Sequence, residues 1–376
     1  MNFRRSPGLP RGFRFAPDAP APVALRPIGL LAAATAREAL SAGRARLLAG
    51  GPLAFMAAEV FLSGEDEVRI VTVPVAEIEG WAVAEGGAAA AAVAAAMYGL
   101  ALPREPFAGV ALDRPRIMGV VNVTPDSFYD GGRLADVDAA VARGEALRAA
   151  GADILDVGGE STRPGSDPPD EATEIARIVP VIERLAKGGA PVSADTRRAA
   201  VMKAAVAAGA RIVNDVSALT GPDALETAAS LGVPVVLMHM RGAPATMQRA
   251  PHYDHAPYEV FRFLAGRVAA CEAAGIGRAS IAVDPGMGFG KNTAHNLAIY
   301  ESLALYHALG CAVLVGPSRK SLIRALAGVD DPDDRLPGSL ALAVHAAAQG
   351  VQILRVHDVA ETRQALSVID AVLRGK

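Results

Sequence analysis

Asp195, Asn214, Asp284 and Lys320 lie far apart in the chain, yet each stands at or just beyond the end of a short apolar run. Two carboxylates, an amide and an ammonium suit a flat heterocycle with adjacent ring N–H donors, amino groups and a carbonyl. Carboxylate oxygens accept from N–H groups, the amide donates and accepts, and the lysine donates to a carbonyl or ring nitrogen. For any one of these residues a buried ion-pair network bracing the fold is an equal account; four together favour a site. A second set, Asn122, Thr162, Arg163, Arg355 and His357, joins cations to neutral oxygens and suits phosphate. One neutral ligand from Asn122, completed by phosphate oxygens and water, is a typical way to hold Mg2+. The competing account of Arg355, a solvated surface arginine, is weakened by its place at the end of an apolar run.

Other stretches with the look of chemistry fail on inspection. DPGMGFGKN resembles a phosphate loop, but Pro285 takes the position of the first required glycine, and Asn292 follows Lys291 where Ser or Thr is needed. Its glycines are better used to shape a tight turn that brings Phe289 over a cavity mouth. His252 and His255 lie in a Pro-bearing loop without nearby cysteines and make a poor zinc pair. Among 7 histidines there is no HExxH, and no Ser-His-Asp set sits on a nucleophile elbow.

The elements that must position these residues recur regularly beyond Arg116. RIMGVVNV, ADILDVG, APVSAD, ARIVNDVS, VPVVLMHM, ASIAVDPG, AVLVGPS and VQILRVHD are each followed by a helix-period segment. The runs are apolar throughout rather than alternating, as parallel strands covered on both faces require. Eight such units in roughly 260 residues predict an α/β fold, a (β/α)8 TIM barrel; a doubly wound open sheet is the alternative. A barrel carries its functional side chains at the strand ends that lead into the βα loops. The polar residues fall there: Asn122, then Glu160 to Arg163, Asp195, Asn214 with Asp215, His239, Asp284, Ser318 to Lys320, and Arg355 with His357.

The first of these loops, in GVVNVTPDSFYDGG over residues 119–132, is long and poor in packing residues, which suits a lid rather than a core. Residues 1–112 read differently from the barrel part, 113–376. The first thirty are rich in Pro, Arg and Gly and look like a tail; residues 25–97 look like a small α/β extension of unassigned role. Residues 86–102 are rich in alanine and other small residues, so a small-residue helix packed closely on a sheet is expected there, not a membrane span. A net charge of −3 argues against a nucleic-acid or membrane-surface partner. Cys271 and Cys311, with no signal peptide, suit reduced core thiols and a cytoplasmic setting.

From about residue 114 onward, GVVNVTPDSFYDGG, GGESTRPGS, SADT, VND, LMHM, DPGMGFGK, GPSRKS and RVHD resemble, in order and spacing, the dihydropteroate synthases. SADT stands where many relatives have SVDT, and GMGFGK where GFGFGK is frequent; both changes are apolar. The resemblance implies a folate-synthesis enzyme and sulfonamide target that joins (7,8-dihydropterin-6-yl)methyl diphosphate to 4-aminobenzoate. It implies a pterin site of Asp195, Asn214, Asp284 and Lys320, with Met238 and Phe289 on the ring faces. The diphosphate falls to Asn122, Thr162, Arg163, Arg355 and His357, with Mg2+ on Asn122. The aminobenzoate falls to Thr162, Pro164, Lys320 and Ser321. Asp126, Asp195, Asp284 and Lys320 are then the catalytic candidates, Asp126 either steadying a cation or ordering the lid. Residues 124–130 and 161–166 would close over the mouth, and a homodimer is implied. A pterin-dependent methyltransferase and a silent pterin-binding paralogue are the rival expectations.

Overall fold

The computed structural model of the chain describes residues 2–123, 133–160, 168–189, 191–242 and 246–376, the side chains of 133–136 excepted. Before the barrel come β1 (Asn2–Arg5), β2 (Val23–Ile28), α1 (Ala33–Ser41), β3 (Arg46–Leu47), β4 (Ala54–Phe55), β5 (Ala57–Ser63), β6 (Glu67–Pro74), α2 (Val75–Glu85) and α3 (Gly87–Ala101). Four of these strands form one sheet in the order β1-β6-β5-β2. The tail expected over the first thirty residues is therefore wrong. Composition averaged over that span hid two short strands, one of which buries Val23, Ala24 and Leu25. The run from residue 67 to 83 also divides, at Pro74, which ends β6 and caps α2. A proline has no N–H for a ladder but is tolerated at a helix entry.

The alanine-rich α3 packs on β2 and on a short 3-10 turn, Leu303–Leu309, that belongs to the barrel. Contact is so close at Gly99 that a Cβ there would collide with the Ala308 carbonyl. No helix among the described residues is long and apolar enough to cross a membrane.

The barrel strands are β7 (Arg116–Asn122), β8 (Ile154–Gly158), β9 (Val192–Asp195), β10 (Ile212–Asp215), β11 (Val235–Met238), β12 (Ile281–Asp284), β13 (Ala312–Val315) and β14 (Ile353–Val356). They pair in parallel, in chain order, and close where Ile353 of β14 meets Arg116 of β7. This is the (β/α)8 barrel; closure excludes the open sheet. The helices are α4 (Arg133–Ala149), α5 (Glu171–Lys187), α6 (Ala199–Ala207), α7 (Ala224–Leu231), α8 (Ala256–Ala273), α9 (Thr293–Glu301), α10 (Ser321–Ala327), α11 (Leu336–Ala348) and α12 (Val359–Arg374). Between β12 and β13 the helical stretch comes in two pieces, α9 and the 3-10 turn, separated at Ser302.

Side chains along a strand alternate faces, so the barrel interior is built in layers two residues apart. The lower layer is apolar: Met118, Ile154, Ile212, Val236, Ala282, Ala312 and Ile353 cluster with Leu314 and with Phe107 from the preceding connection. Phe107 is fully buried, and its backbone pairs with Val110, so a short bridge plugs the lower end of the barrel. Two residues further along the same strands stand Asp156, Asn214, Met238, Asp284 and Arg355. The change from an oily layer to a charged one occurs about 6–7 Å higher, the rise of two strand residues.

Candidate active site

Arg355 organises the charged layer. Its Nε donates to Asp156 Oδ2 at 2.6 Å and its Nη2 to Asp195 Oδ2 at 2.7 Å, so one guanidinium spans two carboxylates from β8 and β9. Asn214 on β10 donates its amide to the same Asp156 oxygen at 3.1 Å. Desolvation pushes Asp195 up to about 7; Arg355 opposes this and the Asp156 charge adds to it. Desolvation also opposes the charge on Arg355, but Asp156 and Asp195 outweigh it and hold the guanidinium ionised.

Asp284 and Lys320 lie near enough in the same layer for each charge to act on the other. Burial raises the Asp284 carboxyl, while the Gly286 N–H, at 2.7 Å from Oδ1, and the Lys320 charge lower it. Desolvation brings Lys320 down to about 8, against the attraction of Asp284. The Lys320 ammonium lies 4.9 Å from the centre of the Phe289 ring, within cation–π range. Met238 closes β11 beside the turn that carries Phe289: its Cγ is among the nearest atoms to where a Gly286 Cβ would stand. The acidic pair, the amide, the lysine and the two apolar side chains thus gather at one end of the barrel.

Arg355 was expected in the phosphate-binding set, separate from the acidic residues. It is instead bonded into them, because an arginine side chain rising from β14 reaches across the barrel to β8 and β9. His357 was expected to help cancel diphosphate charge. In the free site burial brings its imidazole down to about 3, with Arg355 and Arg319 adding to the effect, so it is neutral. Its Nδ1 lies 2.9 Å from Ser318 Oγ, which also accepts from the His357 N–H. Asp215 turns away and caps the following loop through the Ser217 and Leu219 N–H groups. His239 is held by Lys291, whose ammonium reaches the His239 ring and the carbonyls of Gly286 and Phe289. Lys291 therefore ties a turn. His255 caps α8 and His252 contacts Asp254.

Asp126, Thr162, Arg163 and Pro164, and the lid segments 124–130 and 161–166, lie outside the described residues. Asn122 is exposed at the end of β7, and Ser321 opens α10 directly after Lys320. Sequence reasoning passed over Asp156. A carboxylate inside the otherwise apolar ILDVG, two residues beyond the inward Ile154, was the available signal. No described group of three or more His, Cys, Asp or Glu could hold a metal. A lone carboxamide at Asn122 fits Mg2+ only when the other ligands arrive with a phosphate substrate.

A family model described as pterin binding enzyme matches residues 118–357. The chain belongs to the dihydropteroate synthase family. It is 47% identical over 271 residues to the Escherichia coli K12 dihydropteroate synthase, a match that covers 71% of this chain and 96% of that one. The Xanthomonas albilineans dihydropteroate synthase with 4-aminobenzoic acid superposes with a TM-score of 0.67 at 52% identity, covering 70% of this chain and 96% of the other. The same enzyme in complex with 7,8-dihydropteroate gives 0.64 at 50% identity, with 70% and 95% covered. The chain is thus a transferase on a TIM barrel. Residues 1–117 precede the part that the family model matches.

Proposed function

We infer that the cavity binds a dihydropterin edge-on in the barrel and joins its exocyclic carbon to 4-aminobenzoate, releasing diphosphate and giving 7,8-dihydropteroate. One observation carries this assignment: Asp156, Asp195, Asn214, Asp284, Lys320 and Arg355, from six different strands or their tips, converge in one interacting cluster. Asp195, Asn214 and Asp284 accept and donate along the pterin edge, Lys320 reaches its carbonyl or ring nitrogen, and Met238 and Phe289 cover its faces. Asn122, Arg355 and His357 serve the diphosphate, with His357 acting as a neutral hydrogen-bonding partner. Mg2+ arriving with the diphosphate, with Asn122 as one neutral ligand, supplies charge neutralisation to the leaving group.

The bond from the exocyclic carbon to the diphosphate oxygen breaks, and the leaving group keeps the electron pair. Arg355 then opposes the charge that grows on it. The electron-rich ring, held between Asp284 and Asp195, spreads the positive charge left on carbon. The aromatic amine is neutral at pH 7, forms the C–N bond with its lone pair, and afterwards sheds one proton. No strong base is required. We assign the aminobenzoate to the side of Lys320 and Ser321, with Thr162, Arg163, Pro164 and Asp126 completing the mouth. The family likeness also supports a cytoplasmic homodimer, testable by light scattering of the purified chain.

Incubating the full chain with dihydropterin diphosphate, 4-aminobenzoate and Mg2+ should release pyrophosphate and form dihydropteroate. Tight pterin binding without release would instead mark a silent binder.

A further inference from the structure

We propose that the N-terminal extension is a positioning domain that holds the Phe289 turn of the pterin site through α8 and α9. The proposal rests on placing Phe289 on a pterin face. At one contact the extension encloses the start of α8. His255, the residue that caps α8, sits between Phe3 of β1 and Phe61 of β5, with ring centres 5.1 and 5.2 Å away. Tyr258, one turn into α8, stacks on Phe61 at 5.1 Å and shares a buried hydrogen bond with Ser63. These rings and this hydroxyl pair are fully or largely dry, so the start of α8 has little freedom to move without the sheet of the extension.

From there a continuous set of contacts leads to the site. Glu259 on α8 accepts the His255 N–H at 2.9 Å and pairs with Arg241 at 3.2 Å. The Arg241 guanidinium lies 4.2 Å over the ring of Tyr253, and the Tyr253 hydroxyl donates to the Gly290 carbonyl at 3.0 Å. Gly290 and Gly286, both at positive φ, press on the carbonyls of Arg241 and His239 so closely that neither could carry a Cβ. Lys291 then draws the Gly286 and Phe289 carbonyls together. The turn carrying Phe289 is thereby built against the loop that leads into α8.

A second contact reaches the same turn. Arg26 of β2, paired at 3.0 Å with the buried Glu59, donates at 3.3 Å to both Glu301 and Ser302 at the end of α9. On the same helix Asn296 accepts the Gly288 N–H at 2.8 Å. Both helices that support the Phe289 turn are thus clipped to the extension, while Asp156, Asp195 and Arg355 stand outside these contacts. Spatial continuity alone does not establish coupling, so the measurement must read the turn itself.

The test uses full-length Phe61→Ala, with Ser63→Ala and Tyr258→Phe as variants that remove only a hydroxyl. Val83→Asp, at a side chain 82% exposed on the outer face of α2, is the control. Pterin affinity is measured by calorimetry with bare pterin, KM by steady-state turnover, and amide hydrogen exchange over residues 239–242, 246–255 and 286–291. We expect about three- to thirtyfold weaker pterin binding and raised KM for the pterin substrate in Phe61→Ala, with kcat changed less. Exchange should quicken at those segments while β8, β9 and β14 keep their protection. The hydroxyl variants should show the same pattern, smaller, and Val83→Asp none of it. Folded Phe61→Ala with wild-type binding and wild-type exchange at residues 286–291 overturns the proposal; so does exchange that quickens uniformly over the barrel. Should Phe61→Ala not fold, wild-type binding and exchange in both hydroxyl variants overturn it equally. Failure of the wild-type chain to bind pterin would count against the assigned function, and the exchange pattern would still decide the coupling.

Discussion

The Arg319 guanidinium grips Asp358 with two nitrogens, Nε to Oδ2 at 3.2 Å and Nη2 to Oδ1 at 2.7 Å, and so ties the tip of β13 to the tip of β14. Arg319 holds φ at +57°, a region that costs a non-glycine residue about 1–2 kcal/mol. The surroundings hold it there: Ser339 accepts its N–H at 2.9 Å and Arg335 donates to its carbonyl at 3.0 Å. Its neighbours Ser318 and Lys320 are thereby set toward His357 and Phe289.

Arg319→Ala should accordingly lower kcat/KM by about 10- to 100-fold, the scale of a small misplacement of reacting groups. Asp358→Asn should fall between it and wild type. Steady-state kinetics beside thermal melts decide the matter: a variant that melts early yet turns over normally would show that the clasp only supports the fold.

Removing Arg355 leaves Asp156 and Asp195 facing each other without their cation. Arg355→Ala should destabilise the fold by about 3–5 kcal/mol and weaken both bare pterin and the pterin diphosphate. Urea unfolding and calorimetry with the two ligands check this. Loss of diphosphate affinity alone would mean that the bridge seen between the carboxylates contributes little.

Asp195 is raised from 3.8 to about 7 by desolvation. A carboxyl whose folded pKa lies above its unfolded value contributes stability that is fully present below about pH 4 and is lost as pH rises through about 7. Unfolding free energy should therefore decline across that window, and Asp195→Asn should remove this part of the slope. Pterin N–H donors favour the ionised carboxylate, so affinity should climb with pH until about 7 and then level. A flat affinity profile from pH 5 to 8 contradicts this assignment.

Phe107 tests the plug. Phe107→Ala empties the lower end of the barrel and should cost about 3–5 kcal/mol, the usual range for a buried phenylalanine. The charged layer lies above the oily one, so kcat of the folded fraction should stay near wild type. Denaturant melts and active-site-normalised rates provide the comparison.

Much of this was legible before folding is considered. Uninterrupted apolar runs such as VPVVLM and AVLV announce strands covered on both sides, and their eightfold repetition with intervening helical segments announces the barrel. Asp195, Asn214, Asp284 and Lys320 were legible because barrel chemistry sits at strand ends. Asp156 was not picked out because it stands inside a run, where period-2 alternation decides its direction and the run itself looks uniformly apolar. The strands at residues 2–5 and 23–28 were hidden because the Pro-, Arg- and Gly-rich composition of the first thirty residues masks short runs such as VALRPI.

Residue types and spacing along the chain alone set the fold class, the family and the chemistry of the strand tips, because local propensity and periodicity act over short separations. Only the closed barrel decided that Arg355 bridges two carboxylates, that His357 is neutral, and that the extension reaches α8 and α9. Those properties depend on which distant side chains share a dry space and on the desolvation and partners found there, neither of which adjacency in sequence encodes.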